Sequence, residues 1–288
     1  MRPANIVTAI ADILAGIVIT GYVTSPGYSL LPVFFLVLAT VGLYGGGVVF
    51  NDVFDAEIDK TERPERPIPS GSVSKQIASF LGLLLLLTAI VAAGFVHKER
   101  LLSLSVLFAV IIAIAALVYD KWGKHHLLLG PVNMGLCRGF NLLLGMSIVP
   151  AAVGQYWWLG FFPIIYIASI TMISRDEVQG GKKKTLYAAS LLYLIVLTSM
   201  SWFAFNNDQL FYAIGFILLF AVMIFLPLSK AIKDPVAANI RQSVKAGVLA
   251  IILLNAGWAA AFGPIGWALI IVCLLPLSVL LAKLFAVT

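Results

Sequence analysis

Residues 32–51 read PVFFLVLATVGLYGGGVVFN, and residues 52–59 that follow read DVFDAEID. The first run carries no charge. At about 1.5 Å per residue it is long enough to cross the roughly 30 Å hydrocarbon core of a bilayer as one helix. The second run breaks that pattern at once, with Asp52, Asp55, Glu57 and Asp59. Only 13 of the 288 residues are acidic, yet Asp52, Asp55, Glu57, Asp59, Glu62 and Glu65 all fall in this short stretch. On a helix Asp52, Asp55 and Asp59 are spaced i, i+3, i+7 and share one face, at about 100° per residue, while Glu57 points roughly opposite. Three carboxylates on one stripe repel each other unless a cation lies between them. Oxygen-only ligands favour Mg²⁺ over Zn²⁺, so the stripe has the chemistry of a divalent-metal site.

Outward from this junction the rest of the chain is equally oily. The hydrophobic fraction is 61% and the mean hydropathy +1.03, values that exclude an ordinary soluble domain. Ten apolar runs are expected to form helices: roughly 5–24, 32–51, 76–96, 101–118, 131–150, 157–174, 186–205, 209–228, 244–262 and 265–286. The fold class is therefore an all-α integral membrane protein of nine to ten transmembrane helices. No long polar linker separates the runs, so one polytopic domain over 1–288 is expected. The first run holds Asp12 and lacks a small-residue cleavage pattern, so a retained helix is expected in preference to a cleaved signal peptide.

The basic residues are distributed unevenly. With the N-terminus inside, 16 of the 19 Lys and Arg fall at one end of the helices. Lys98 and Arg100 lie opposite, and Arg138 falls inside a helix. This bias predicts a cytoplasmic N-terminus and cytoplasmic active-site loops. The net charge of +6 then reflects topology and attraction to anionic membrane lipid, not nucleic-acid binding. Cys137 and Cys273 sit in separate apolar runs, where packing is the expected role. Three histidines, His97, His125 and His126, are too few and too poorly spaced for zinc.

The same end collects the other candidate groups. Tyr119-Asp120-Lys121-Trp122-Gly123-Lys124 closes one apolar run. Arg175-Asp176-Glu177-Val178-Gln179-Gly180-Gly181 follows another and leads into Lys182, Lys183 and Lys184. Two acidic helix ends with interleaved Lys and Arg suit a doubly anionic ligand, with metal on the carboxylates and the bases on the outer oxygens.

Asn51-Asp52-x-x-Asp55-x-x-x-Asp59, followed by Arg63-Pro64-x-Arg66-Pro67-Ile68-Pro69-Ser70-Gly71, resembles the first signature of the UbiA superfamily of intramembrane prenyltransferases. Tyr119, Lys124 and Gly130 resemble that family's tyrosine-lysine loop. Arg2 and Asn5 sit where its members carry arginine and asparagine. The resemblance covers about 1–260, leaving a core of about 1–262 and an extra C-terminal helix at about 265–286. It implies a helical bundle around a central cavity open to lipid. Its implied function is Mg²⁺-dependent transfer of an isoprenyl group from a polyprenyl diphosphate to a small acceptor. Asp52, Asp55 and Asp59 would hold the metal, helped by Asn51. Arg63, Arg66, Lys124 and Lys184 would hold diphosphate, with Asn5 facing it and Tyr119 beside Lys124.

The second motif departs from the family pattern. Asp176 or Glu177 matches its first acid and would complete the metal site, but the position four residues on is Gly180 or Gly181. The strings 175–181 and Cys137-Arg138-Gly139-Phe140-Asn141 resemble the UbiA-like branch called EboC more than the ubiquinone or menaquinone enzymes. The alternative function is accordingly a non-catalytic membrane protein that binds or moves an isoprenoid-like metabolite. A secondary transporter is weaker still, because no internal repeat is evident and the charges cluster at helix ends, away from the midplane.

Polar residues inside the apolar runs complete the candidates. Arg138, with Asn141 at i+3, either anchors diphosphate or an acidic acceptor, or pairs structurally with Asp12 or a helix carbonyl. Asn5, Thr8 and Asp12 form a stripe on the first helix, where Asp12 either meets the acceptor or makes a core hydrogen bond. Asn255 reads as interhelical glue, Gly45-Gly46-Gly47 as a site of close helix approach, and Trp157 and Trp158 as outer-interface markers. Phe54, Phe140 and Tyr166 are expected to pack, although their ring faces suit a carbocation.

Overall fold

The computed structural model describes residues 3–97, 103–126, 129–174 and 182–284, and among these the regular structure is entirely helical. The helices are α1 (Pro3–Ile19), α2 (Leu30–Glu62), α3 (Lys75–Gly94), α4 (Leu104–Lys121), α5 (Leu129–Met146), α6 (Pro150–Tyr156), α7 (Phe161–Ser174), α8 (Lys183–Asn206), α9 (Leu210–Lys233), α10 (Ala237–Phe262), α11 (Ile265–Val272) and α12 (Leu274–Leu284). Each of the ten expected runs corresponds to one of these helices or to a consecutive pair. Among the described residues eight helical stretches are long and apolar enough to cross a membrane; α1 is shorter, and α5 is diluted by Asn133, Arg138 and Asn141. The chain thus has the build of a multi-pass membrane protein.

Several boundaries differ from expectation, each for a local reason. The first run ends at Ile19 because Gly21 takes a left-handed φ of 73° and turns the chain into a short 3-10 segment. The run at 157–174 starts earlier, at α6, and breaks at the 3-10 turn Trp157–Gly160; the ring of Pro163 blocks an uninterrupted helix across the carbonyl four residues before it. The last run divides between Val272 and Leu274, where Pro276 acts in the same way on the carbonyl of Val272. Cys273, expected to be buried, is exposed at this break, and both cysteines are free.

The aspartate stripe lies on the same continuous helix as the apolar run before it. Ser29 caps α2 by accepting from the Leu31 amide at 3.2 Å, and the helix then runs for 33 residues. Asp52 comes about 33 Å along it, just past the thickness of a hydrocarbon core. The stripe is therefore carried to the end of the bundle by uninterrupted helix.

Helices α1 and α10 fill the middle. From Leu249 to Ala261, α10 is buried on all faces. The peripheral helices turn Phe80, Trp202, Phe205 and Phe211 outward, an apolar belt suited to lipid. Close crossings are made through glycine. A Cβ on Gly16 of α1 would collide with the Leu142 carbonyl, and one on Gly145 of α5 with the Ile13 carbonyl. On α2 the tight positions are Gly42, whose Cβ would lie 2.8 Å from the Leu85 carbonyl, and Gly46, 2.7 Å from Leu86. Gly45 and Gly47 have ordinary clearance, so an i, i+4 pair makes the close approach instead of the whole triplet.

Candidate functional site

The three aspartates lie on one face at the end of α2, and each meets a cation supplied by another part of the chain. Arg66 donates to Asp59 Oδ2 at 2.7 Å and to Asp52 Oδ1 at 3.3 Å. Lys124 donates to Asp55 Oδ1. Asp59 is the most enclosed, with 6% of its side chain exposed, against 29% for Asp52 and 17% for Arg66. Glu57 points away and pairs with Lys60 at 2.8 Å on the exposed side. The repulsion expected along the stripe is thus offset by three ion pairs made by two internal cations.

Local structure holds both cations in place. Residues 63–74 fold back on themselves: Ser70 N donates to Arg66 O at 2.9 Å, Val73 N to Pro67 O at 3.0 Å, and Gly71 N to Ile68 O at 3.1 Å, with Gly71 at a φ of 77°. Ile68 and Val73 pack with Val49, Phe50, Val53 and Ala78 of α2 and α3, so apolar contacts fix the loop that presents Arg66. Lys124 sits in the 3-10 turn Gly123–His125 between α4 and α5. Gly130 closes on that turn, since an added Cβ would lie 3.1 Å from the Gly123 carbonyl. Turned to satisfy both of its neighbours, the Asn133 amide donates to Ala115 O and accepts from Tyr119 N, each at 3.1 Å, which pins the end of α4.

Asn51 Nδ2 donates to Asp120 Oδ1 at 3.0 Å. Asp120 is buried and belongs to this group more closely than the sequence pattern requires. Tyr119 is half-buried in the same turn. Arg63 and Lys184 stand exposed, the former at the end of α2 and the latter in the first turn of α8. Asn5 is half-buried on the first turn of α1, where its carbonyl accepts from Thr8 at 2.8 Å. Asp176 and Glu177 lie outside the described residues.

Arg138 and Asn141 occupy a second, deeper polar cluster. Arg138 donates to Asp12 Oδ2 at 2.8 Å and to Thr8 Oγ1 at 2.6 Å. Asn141 donates to Asp12 Oδ2 at 3.1 Å and to the Ala9 carbonyl at 2.9 Å, and accepts from Thr40 at 2.8 Å. Asn255 donates to Asp12 Oδ1 at 2.7 Å. Asp12 is thus the hub joining α1, α5 and α10, with α2 attached through Thr40. The Arg138 guanidinium also lies 5.6 Å from the centre of the Tyr44 ring. Tyr44 is eight residues before Asp52, so Arg138 sits about 12 Å deeper than the stripe. The pair with Asp12 named as one of the readings for Arg138 is present in the structure.

Beside this cluster lies a void of about 10 Å³ bordered by Asp12, Arg138 and Tyr166, room for about one water and not for a prenyl chain. A cavity of about 440 Å³ opens at the opposite end of the bundle, next to Gly21, Gln155 and Phe262. The aromatics pack among themselves: Phe54 on Phe50, Phe140 against Phe108, and Tyr166 on Tyr193, with the Tyr166 hydroxyl donating to Gly247 O at 2.8 Å.

By donor type the stripe suits Mg²⁺, although among the described residues no three acidic, His or Cys side chains are gathered closely enough to hold a metal ion as they stand. The candidate ligands Asp52, Asp55, Asp59 and the Asn51 amide offer only oxygens to a hard cation, and the pairs with Arg66 and Lys124 demonstrate that this face accommodates positive charge.

Residues 13–244 match the UbiA prenyltransferase family. The chain belongs to that family. A digeranylgeranylglyceryl phosphate synthase of Sulfolobus acidocaldarius is 27% identical over 226 residues, covering 72% of this chain and 78% of that one. The protein of the same name from Methanothermobacter thermautotrophicus is 28% identical over 245 residues, covering 78% and 81%. Among solved structures, a UbiA homologue from Aeropyrum pernix superposes with a TM-score of 0.68 at 18% identity, covering 89% of this chain and 98% of that one. A structure described as that of a digeranylgeranylglyceryl phosphate synthase in membranes gives 0.62 at 18%, covering 91% and 99%. These structural likenesses establish a UbiA fold. The family match includes the stripe, the Arg66 loop and the Lys124 turn.

Proposed function

We propose that this UbiA-family protein transfers an isoprenyl group from a polyprenyl diphosphate to a small acceptor in the membrane, with the stripe end of the bundle facing the cytoplasm. The observation that carries the reading is three aligned aspartates interleaved with Arg66 and Lys124, a pattern of opposite charges suited to a diphosphate and its counter-cation. Asp52, Asp55 and Asp59, with Asn51, are the residues that would hold Mg²⁺. Arg66 and Lys124 would grip diphosphate oxygens, with the exposed Arg63 and Lys184 as further candidate ligands of the anion. Bound Mg²⁺ supplies neutralisation of the negative charge that develops on the departing diphosphate. The allylic C–O bond breaks with its electron pair leaving on diphosphate, the acceptor's electron pair closes the new bond to the allylic carbon, and the acceptor's proton passes to the departing diphosphate or to water. Arg66 and Lys124 would lower the barrier to that departure by meeting the negative charge that develops on the leaving oxygens.

The names of the relatives direct attention to a geranylgeranyl donor and a glyceryl phosphate acceptor. The deciding experiment incubates purified protein with radiolabelled geranylgeranyl diphosphate, Mg²⁺ and geranylgeranylglyceryl phosphate. Labelled ether lipid and released diphosphate are expected. No diphosphate release with any glycerophosphate or aromatic acceptor, alongside an active relative, sinks the proposal. A binding protein without turnover is the second reading, favoured by Gly180 and Gly181 where the family carries an acid. It predicts retention of the diphosphate without its release.

A further inference from the structure

We infer that Arg66 and Lys124 exchange partners during binding, aspartate carboxylates before and diphosphate oxygens after, so that metal and diphosphate bind as a coupled pair. The inference rests on the prenyl-diphosphate reading and adds how the site is loaded. Each aspartate of the stripe is engaged by an internal cation: Asp52 and Asp59 by the bridging Arg66, Asp55 by Lys124. While the Arg66 guanidinium holds Asp59 Oδ2 at 2.7 Å, a divalent cation on the same carboxylate would sit against a second positive charge. The like charges repel, and Arg66 and Lys124 are only 17% and 15% exposed, so water does little to stabilise them once they leave the stripe.

Neither ligand alone resolves this arrangement. Metal by itself would add positive charge beside the two cations already seated on the stripe. Diphosphate by itself would approach Asp52, Asp55, Asp59 and the buried Asp120 while the bases are still occupied by carboxylates. Arriving together, the two ligands let every charge keep an opposite partner. The movement needed is confined to side chains, because the Arg66 backbone is held by the Ser70–Arg66 hydrogen bond and by Ile68 and Val73 on α2 and α3. A planar guanidinium that now spans two carboxylates can span two phosphate oxygens in the same way.

The test measures Mn²⁺ binding by the loss of its free-ion paramagnetic resonance signal. It uses full-length protein in detergent, with and without geranylgeranyl methylenediphosphonate. For the wild type the analogue should tighten Mn²⁺ binding by about tenfold or more, a typical size for coupling between sites. Arg66→Gln and, separately, Lys124→Gln should each tighten Mn²⁺ alone by about threefold or more, and reduce the enhancement by the analogue to about threefold or less. A variant that loses metal affinity without the analogue, or keeps the full enhancement, overturns the exchange. Arg66→Lys, which keeps the charge, should keep most of the coupling, and melting curves establish that each variant is folded. The wild type decides independently of every variant: additive binding overturns the exchange while leaving the prenyl-diphosphate reading intact. Failure to bind either ligand overturns both.

Discussion

At the scale of single residues the described structure holds a half-buried cluster of paired charge at the stripe and a buried one around Asp12. In the stripe, Asp52 and Asp59 share Arg66, and Asp55 takes Lys124. Asp52→Asn or Asp55→Asn keeps the shape and removes the charge, and each should lower prenyl transfer by about 100-fold or more with little change in melting temperature. Turnover with labelled donor checks this. The Asp12 cluster should respond in the opposite way. Asp12→Ala leaves the Arg138 guanidinium buried without its carboxylate and strands Asn255 and Asn141. A loss of about 3–5 kcal/mol in stability is expected, read from melting in detergent. Joining Asp12→Leu to Arg138→Met should restore part of that loss, because it removes the unpaired charge instead of exposing it.

At the scale of helices, the decisive feature is that α2 does not stop where its apolar run stops. Its 33 residues join the lipid-spanning portion rigidly to the stripe, so aspartate placement depends on how α2 packs. Gly42 and Gly46 bring it close to α3, the helix that follows the Arg66 loop. Gly16 and Gly145 do the same for α1 and α5 and bring Asp12 within reach of Asn141. Gly145→Ala would drive a methyl group into the Ile13 carbonyl, and the helices must separate to admit it. We expect a destabilisation of about 1–3 kcal/mol. The Asp12 cluster should loosen with it, and faster amide exchange in α1 and α5 would report that loosening. Unchanged melting and exchange would mean that the crossing is less tight than its backbone contacts imply.

At the scale of the whole molecule, central helices are wrapped by others that turn apolar side chains outward. Most of the Lys and Arg, by sequence, fall in connections at the stripe end, which is expected to face the cytoplasm. Single cysteines test this orientation in a background carrying Cys137→Ser and Cys273→Ser. In intact cells a membrane-impermeant maleimide should label Asn206→Cys, at the opposite end, and spare Lys60→Cys until the membrane is opened. The reverse pattern would place the stripe outside.

The sequence by itself determined the membrane helices, the shared face of Asp52, Asp55 and Asp59, and the Arg-Pro loop beside them, because these depend on composition, on helical periodicity and on short-range motifs. It also marked Arg138 as needing a partner, since a charge inside an apolar run has no water to meet. What it left open was which partner. Lys124 reaches Asp55 across 69 positions, Arg138 reaches Asp12 across 126, and Asn255 reaches the same Asp12 across 243. Only the tertiary structure decided those pairings and gave Arg66 its bridge between Asp52 and Asp59. Periodicity orients a side chain about its own helix axis, whereas the residue it meets depends on how closely and at what angle two helices cross, and here glycine contacts between backbones set both.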